Sequence, residues 1–421
     1  MGRLKSIILT AILLVWSTAQ FAQAPTYGTN KGDYLDCDDF SEGLAKINKD
    51  GKYGFIDKNG KVVVPFEYDY ARSFSEGLAC VAKNRKWGFI DKTGKVVIPF
   101  EYDDENPFHK GLALVIQGDR GTHKCGRIDK TGKVVIPIEY DDVYFFSEDL
   151  VSVKANGKYG FIDKTGKVVI PFEYDYAWGF SEGLACVEKN GKWGFIDKTG
   201  KLVIPIEYDD VYDFYEGLAP VGKGYWSQDE TGFIGKYGFI DKTGKEVIPF
   251  EYDEADCFHD GLAKVEKNGK WGFIDKTGKQ VIPIEYDEEP YFRNILAKVK
   301  KDGKYGFIDK AGKLIITFEY DDADDFHDDL AKVKENGHYG FIDKNGKVVA
   351  SFEYDDACGF REGLACVKKN GYYGFLDKTG KEVVPFEYDY AWSFSEGLAR
   401  VRKNGKCGYI DKTGKLVLGW Y

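Results

Sequence analysis

From about Tyr34 to the C-terminus the chain repeats one short pattern of apolar and polar positions. In Leu262-Ala263-Lys264-Val265-Glu266-Lys267 the two kinds alternate, which predicts a half-buried strand. Asn268-Gly269 follows and offers the two adjacent positive-φ residues of a type I′ hairpin turn. A second strand is predicted over Lys270-Trp271-Gly272-Phe273-Ile274-Asp275, with Trp, Phe and Asp on one face. Its glycine leaves a flat spot where a ring or another backbone can approach. Asp275-Lys276-Thr277-Gly278 then suits a type I turn closed by a glycine bulge. The third strand, Gln280 to Asp287, places Ile282, Ile284 and Tyr286 on one face. Pro283 cannot donate to a ladder, so this strand is expected at an edge. A connector with a Phe, such as Phe258-His259-Asp260-Gly261, leads to the next unit.

The phrase Lys192-Trp193-Gly194-Phe195-Ile196-Asp197 sets the period. Its glycine recurs eleven times from Gly54 to Gly408; eight of the ten steps are 34 residues, one is 38 and one is 44. The long steps carry insertions around Gln117–Lys124 and Gly222–Gly235, at the same place in the unit. No such meander buries its apolar face alone, so stability must come from stacking on neighbours. The expected fold is all-β: a tandem array of eleven three-stranded β-meander repeats of 34 residues. Two architectures meet that need, an open, curved, solenoid-like array or a closed β-propeller. Tyr34 to Tyr421 is 388 residues, eleven units of 34 plus 14 inserted, which suits either. Units this small would leave eleven blades around a wide hole, and the open array is the expectation.

The N-terminus is a different material. Arg3 and Lys5 precede an apolar run from Ile7 to Trp16, and small residues follow at Ser17, Ala19, Ala22 and Ala24. That is a signal-peptide layout, and the run is too short to span a bilayer. The domain plan is therefore a signal peptide at 1–24, a lead-in and cap at 25–39, and the repeat array at 40–421. An exported product is expected, periplasmic, at the cell surface or extracellular, with no integral membrane segment after cleavage. Glycine stands at 50 and Tyr and Phe at 29 and 30, as many short strands with tight turns require. Acids and bases are interspersed, so the net charge of −10 describes a solvated surface. With no basic stripe, nucleic acid is excluded as a partner.

The phrase resembles the WG-repeat family, also called KWG repeats, whose signature is a Trp-Gly or Tyr-Gly pair followed by Phe-Ile-Asp-x-x-Gly. The pair stands as Trp87-Gly88, Trp193-Gly194 and Trp271-Gly272, and as Tyr-Gly in six other units. Cys125 and Cys407 replace the aromatic residue, and Arg127 replaces the Phe that follows. The resemblance implies bacterial proteins, often exported, with β-rich repeats and no common enzymatic activity or catalytic residues.

Candidate chemistry is sparse. The Asp of the phrase recurs in every unit, as at Asp197 and Asp275, but each is isolated from other acids and followed by Lys. Hard cations need several oxygens converging on one point, so a side chain capping its own turn is the better reading. A denser acidic band, Glu101-Tyr102-Asp103-Asp104, Glu207-Tyr208-Asp209-Asp210 and Glu319-Tyr320-Asp321-Asp322, could attract a cation or a basic partner. A solvated edge that resists strand pairing explains it more cheaply. None of the five His has metal-ligand spacing, and no phosphate loop, dinucleotide fingerprint or Gly-x-Ser-x-Gly occurs. No catalytic residue, metal or cofactor is expected. The eight cysteines are scattered without paired substitutions, and Cys358 with Cys366 is the one short-range pair that invites a disulfide.

Function is expected where the repeat breaks. Tyr225 and Trp226 lie in the longer insertion beside Asp229 and Glu230. Exposed aromatics beside polar groups mark binding spots, whereas a hairpin packed on itself is the plainer outcome. The chain is expected to offer a protein-binding or scaffolding surface; the alternative is glycan or cell-wall binding by the repeated Tyr and Trp.

Overall fold

A computed structural model describes residues 38–119, 121–227, 232–292 and 295–419. The expected leader at 1–24 and residues 25–37 of the lead-in lie outside the described residues.

One unit shows how the sequence shapes all of them. β1 (Tyr176–Ser181), β2 (Leu184–Lys189), β3 (Lys192–Asp197) and β4 (Leu202–Tyr208) pair antiparallel in that order. Asn190 and Gly191 join β2 to β3 with φ of 54° and 75°, as a type I′ turn requires. Asp197 closes the next turn. Its carbonyl accepts from Gly200 N at 2.9 Å, and its Oδ1 accepts from Thr199 N at 2.9 Å and Lys201 N at 3.1 Å.

Each unit has one strand more than expected. Ten of the eleven sheets carry four strands, and the first carries three among the described residues. The added strand is the connector, which in most units pairs over only two residues, such as Tyr70–Ala71 or Asp210–Val211. Two residues are too few to show a period.

Gly194 sits where β4 bulges from β3. Trp193 faces Tyr208 and Phe195 faces Ile204, so two steps on β3 span four on β4. A Cβ on Gly194 would lie 2.7 Å from Ile204 O and 2.8 Å from the Ile206 Cα. Backbone cannot swing aside as a side chain can, so Gly194→Ala should cost about 1–3 kcal/mol. A urea titration checks this; an unchanged midpoint would remove the steric role.

The expectation of an open array is corrected: the sheets close into an eleven-bladed β-propeller. Each apolar cluster is shared by two consecutive blades. Leu184, Trp193, Phe195, Ile204 and Tyr208 of the fifth blade pack with Val211, Phe214 and Val221 of the sixth. The eleventh cluster joins the chain ends, packing Leu398, Tyr409 and Leu418 against Phe40, Ala45, Ile47 and Ile56. Closure covers the apolar face that an open array would leave bare at each end, worth about 1.5–3 kcal/mol per large side chain.

A polar latch repeats across the seams. Glu182 accepts from Gly217 N of the next blade at 3.0 Å and pairs with Lys242 at 2.9 Å. The closing seam uses the same parts: Glu396 accepts from Gly43 N at 2.9 Å and pairs with Lys58 at 3.0 Å. Two seams lack the acid, which is replaced by Lys110 and Asn294. In the receiving blades Asp149 and Asp329 stand where Gly is usual, and each pairs with its own blade's lysine, Lys164 or Lys344. The exceptions compensate each other.

Candidate functional site

The residues that recur in every unit are spent on the framework. The Asp row caps its turns. The acidic band divides: Glu101, Asp104, Glu207, Glu319 and Asp321 are exposed, as a solvated edge requires, whereas other members tie the framework together. Asp209 accepts from Lys192 Nζ at 2.5 Å and from Gly224 N at 2.9 Å, tying one blade to the next. Asp103 does the same with Lys86 at 2.6 Å and Gly118 N at 2.8 Å. Asp210 is buried and accepts the Tyr237 hydroxyl.

Burial pushes the Asp210 carboxyl from 3.8 up to about 7, against the lowering effect of the Tyr237 hydroxyl. The native state then binds a proton that the unfolded chain has released, so stability falls as pH rises from about 4 through 7. Asp210→Asn should flatten that part of the pH–stability curve, and a mutant curve parallel to wild type would contradict it.

The aromatic members of the phrase are packed. Trp193 is 6% exposed and Tyr159 is buried. Trp87 and Trp271 are half-buried beneath cations, with the Arg72 guanidinium 5.7 Å and Lys264 Nζ 5.8 Å from the ring centroids. Gly88 and Gly272 repeat the close approach of Gly194: a Cβ would meet Ile98 O at 2.7 Å and Pro283 O at 2.6 Å.

The longer insertion continues the blade's hairpin. Its strands, Leu218–Trp226 and Phe233–Asp241, run nine residues each rather than the usual six. Trp226 pairs across with Phe233, ring centroids 5.8 Å apart, and Phe233 leans on Tyr237 at 5.1 Å. Tyr225 points the other way opposite Ile234, and the two are 62% and 48% exposed. The candidate pair thus separates into a packed Trp226 and a presented Tyr225. Asp229 and Glu230 lie outside the described residues.

Variation gathers elsewhere, on the connectors. One connector position reads Asp38, Arg72, Asn106, Tyr144, Trp178 and Tyr212 in the first six blades. The strand position opposite reads Lys46, Cys80, Leu114, Ser152, Cys186 and Pro220. In eight blades the first residue's N–H bonds the second's carbonyl, as from Arg72 to Cys80 at 2.9 Å and Asp256 to Lys264 at 2.9 Å. Side chains at the pair match: Asp38 with Lys46 at 3.0 Å, Asp324 with Lys332 at 3.0 Å, and Arg400 over the Trp392 ring at 3.7 Å.

Neighbouring blades are bonded to one another along these connectors. Ser41 Oγ donates to Phe74 O at 2.9 Å, and Ser395 Oγ carries the series across the closure to Phe40 O at 3.3 Å. Tyr215 and His259 have rings 5.2 Å apart. Blades of a closed ring are closest towards its axis, so the variable pairs form a belt on the axis side; their connector members are half-exposed in most blades, whereas strand members such as Cys80, Ser152, Cys186 and Pro220 are buried.

Cys358 and Cys366 occupy this pair of positions in the tenth blade, and both are thiols. Their substitution is therefore paired, which linear inspection of the sequence missed. A second feature it missed lies in the eighth blade, which changes composition without changing length. Tyr291 and Ile295 there are 58% and 64% exposed. Comparing units position by position, rather than seeking breaks in phase, would have found both. Among the described residues no group of three or more His, Cys, Asp or Glu could hold a metal ion, and no helix is long and apolar enough to cross a membrane.

No curated protein matches the chain. Among solved structures it is similar to the extracellular domain of a hybrid two-component system from B. thetaiotaomicron. Identity is 10%, 95% of this chain and 72% of that one are covered, and the TM-score is 0.24. It is also similar to a eukaryotic initiation factor at 12% identity, covering 89% and 94%, with a TM-score of 0.36. A third is Hsv2p of Kluyveromyces lactis at 9% identity, covering 62% and 91%, with a TM-score of 0.29. Scores this low fix neither fold nor function. The repeat family described as WG containing repeat matches eleven successive segments, from 33–53 and 53–87 to 339–373 and 373–407. The chain belongs to the WG-containing-repeat family.

Proposed function

We propose that the chain is an exported, non-catalytic binding ring whose axis-side belt holds a protein partner. One observation carries the reading. The repeat holds its framework residues nearly constant and varies the connector pairs, which run from Asp–Lys to Trp–Arg and Tyr–Pro and whose connector members are half-exposed in most blades. Charged and aromatic groups on a rigid support are what a partner's surface can recognise. Export rests on the leader pattern of residues 1–24. Glycan binding by the repeated rings has less support, since Trp193 and Tyr159 are packed between blades.

The test replaces Arg72/Cys80, Trp178/Cys186 and Tyr212/Pro220 with the Asp/Lys pair of the first blade. A folded variant should lose the partner that wild type recovers from the envelope of its source cell. Equal recovery would overturn the reading. A parallel deletion of Tyr225–Phe233 tells whether the presented hairpin contributes.

A further inference from the structure

We propose that Cys358 and Cys366 are a disulfide-forming pair that closes across the axis-side connector of the tenth blade. Three observations converge on it. The two residues are directly opposed: Ala357 faces Val367, Asp356 faces Lys368, and Cys358 N donates to Cys366 O at 2.8 Å. Opposed residues of an antiparallel, hydrogen-bonded pair have Cα atoms about 5.5 Å apart, inside the span a disulfide bridges. Equivalent positions elsewhere carry complementary groups that link the same two strands. Asp256 pairs with Lys264 at 3.3 Å, Asp324 with Lys332 at 3.0 Å, and Arg400 lies over Trp392. A covalent link is the thiol version of that pairing. By contrast Cys80 faces Arg72 and Cys186 faces Trp178, so neither has a thiol opposite.

The two thiols have different surroundings. Cys366 is buried, with its Sγ 3.3 Å from Ala391 O. Cys358 is half-exposed, and the hydrogen bond from Cys366, with Lys332 nearby, holds its thiol below the ordinary value. Cys358 is thus the reachable nucleophile and Cys366 the resolving group. With oxidised glutathione as the oxidant, the Cys358 thiolate attacks one sulfur and releases one glutathione thiolate. The Cys366 thiol then passes its proton to solvent and attacks Cys358 Sγ, expelling the second glutathione. One protein disulfide forms and one glutathione disulfide is reduced to two thiols.

Trypsin reads the outcome directly, because Arg361 lies between the two cysteines. Full-length mature protein is treated with oxidised glutathione, quenched with an alkylating agent and digested without reductant. The expected product is a linked pair of peptides, 348–361 and 362–368, lighter than their sum by two hydrogens. It should vanish in Cys358→Ser and in Cys366→Ser. Separately alkylated peptides, or Cys358 linked to another cysteine, would overturn the proposal. A double variant, Cys358→Asp with Cys366→Lys, installs the alternative pair found elsewhere in the ring. It should fold and melt at the same temperature with or without dithiothreitol, whereas oxidised wild type melts higher than reduced wild type. Equal melting of oxidised and reduced wild type would also count against the link.

Discussion

A chain ending at Tyr388 is expected to lose cooperative folding rather than shed one repeat. The cut removes the eleventh blade and with it both seams that the blade makes. Ala391, Phe394, Ala399, Val401 and Ile410 leave the cluster shared with the tenth blade, and Leu398, Tyr409 and Leu418 leave the one shared with the first. At about 1.5–3 kcal/mol for each large buried side chain, the loss exceeds ~10 kcal/mol, which is of the order of a whole domain's stability. The remaining faces, with Phe40, Ile47 and Ile56 on one side and Phe375 and Val384 on the other, would be bare. An open array would behave differently: a terminal unit there has one interface, and its removal leaves the rest nearly as stable. Urea unfolding followed by circular dichroism separates the cases. A truncated chain with the full-length midpoint would exclude the ring.

The second large effect is local. Phe195→Ala should destabilise by about 3–5 kcal/mol. The ring is fully buried on β3 and meets Phe214 of the next blade edge-on, with centroids 4.9 Å apart. The pair repeats as Phe55 with Phe74 and Phe375 with Phe394. The walls of the cavity left by the mutation belong to two sheets held by ladders, so they cannot collapse to fill it. The same change at half-exposed Phe100 should cost far less, and equal losses at the two sites would refute the packing argument.

What the sequence reveals and what it hides follow from the range of the forces involved. Turns are local. Asn190-Gly191 and the Asp197 cap depend on residues a few positions apart, and both are legible in the chain. The strands of the phrase are long enough to show alternation; the connector strands, as short as Tyr70–Ala71, are not. Closure depends on the angle between blades, a sum of side-chain shapes at each seam that no periodicity records. The framework bonds made within the acidic band were hidden because the partners lie far along the chain: Asp209 belongs with Lys192, seventeen residues earlier. Cys358 and Cys366 were legible as a short-range pair, but not as a matched substitution, since they become opposed only once the connector is known to be a strand. The insertion was legible as a hairpin, but which of Tyr225 and Trp226 is presented depends on the face of the ladder.

Ring closure supports both the seam energetics and the axis-side belt, and one distance tests it. Probes on the hairpin turns at Asp50 and Asn404 would report the separation of the first and last blades by pulsed dipolar spectroscopy. A closed propeller predicts a separation equal to that between Asn370 and Asn404, which lie on adjacent blades. An Asp50–Asn404 separation greater than that between Asp50 and Asn190, four blades apart, would contradict it.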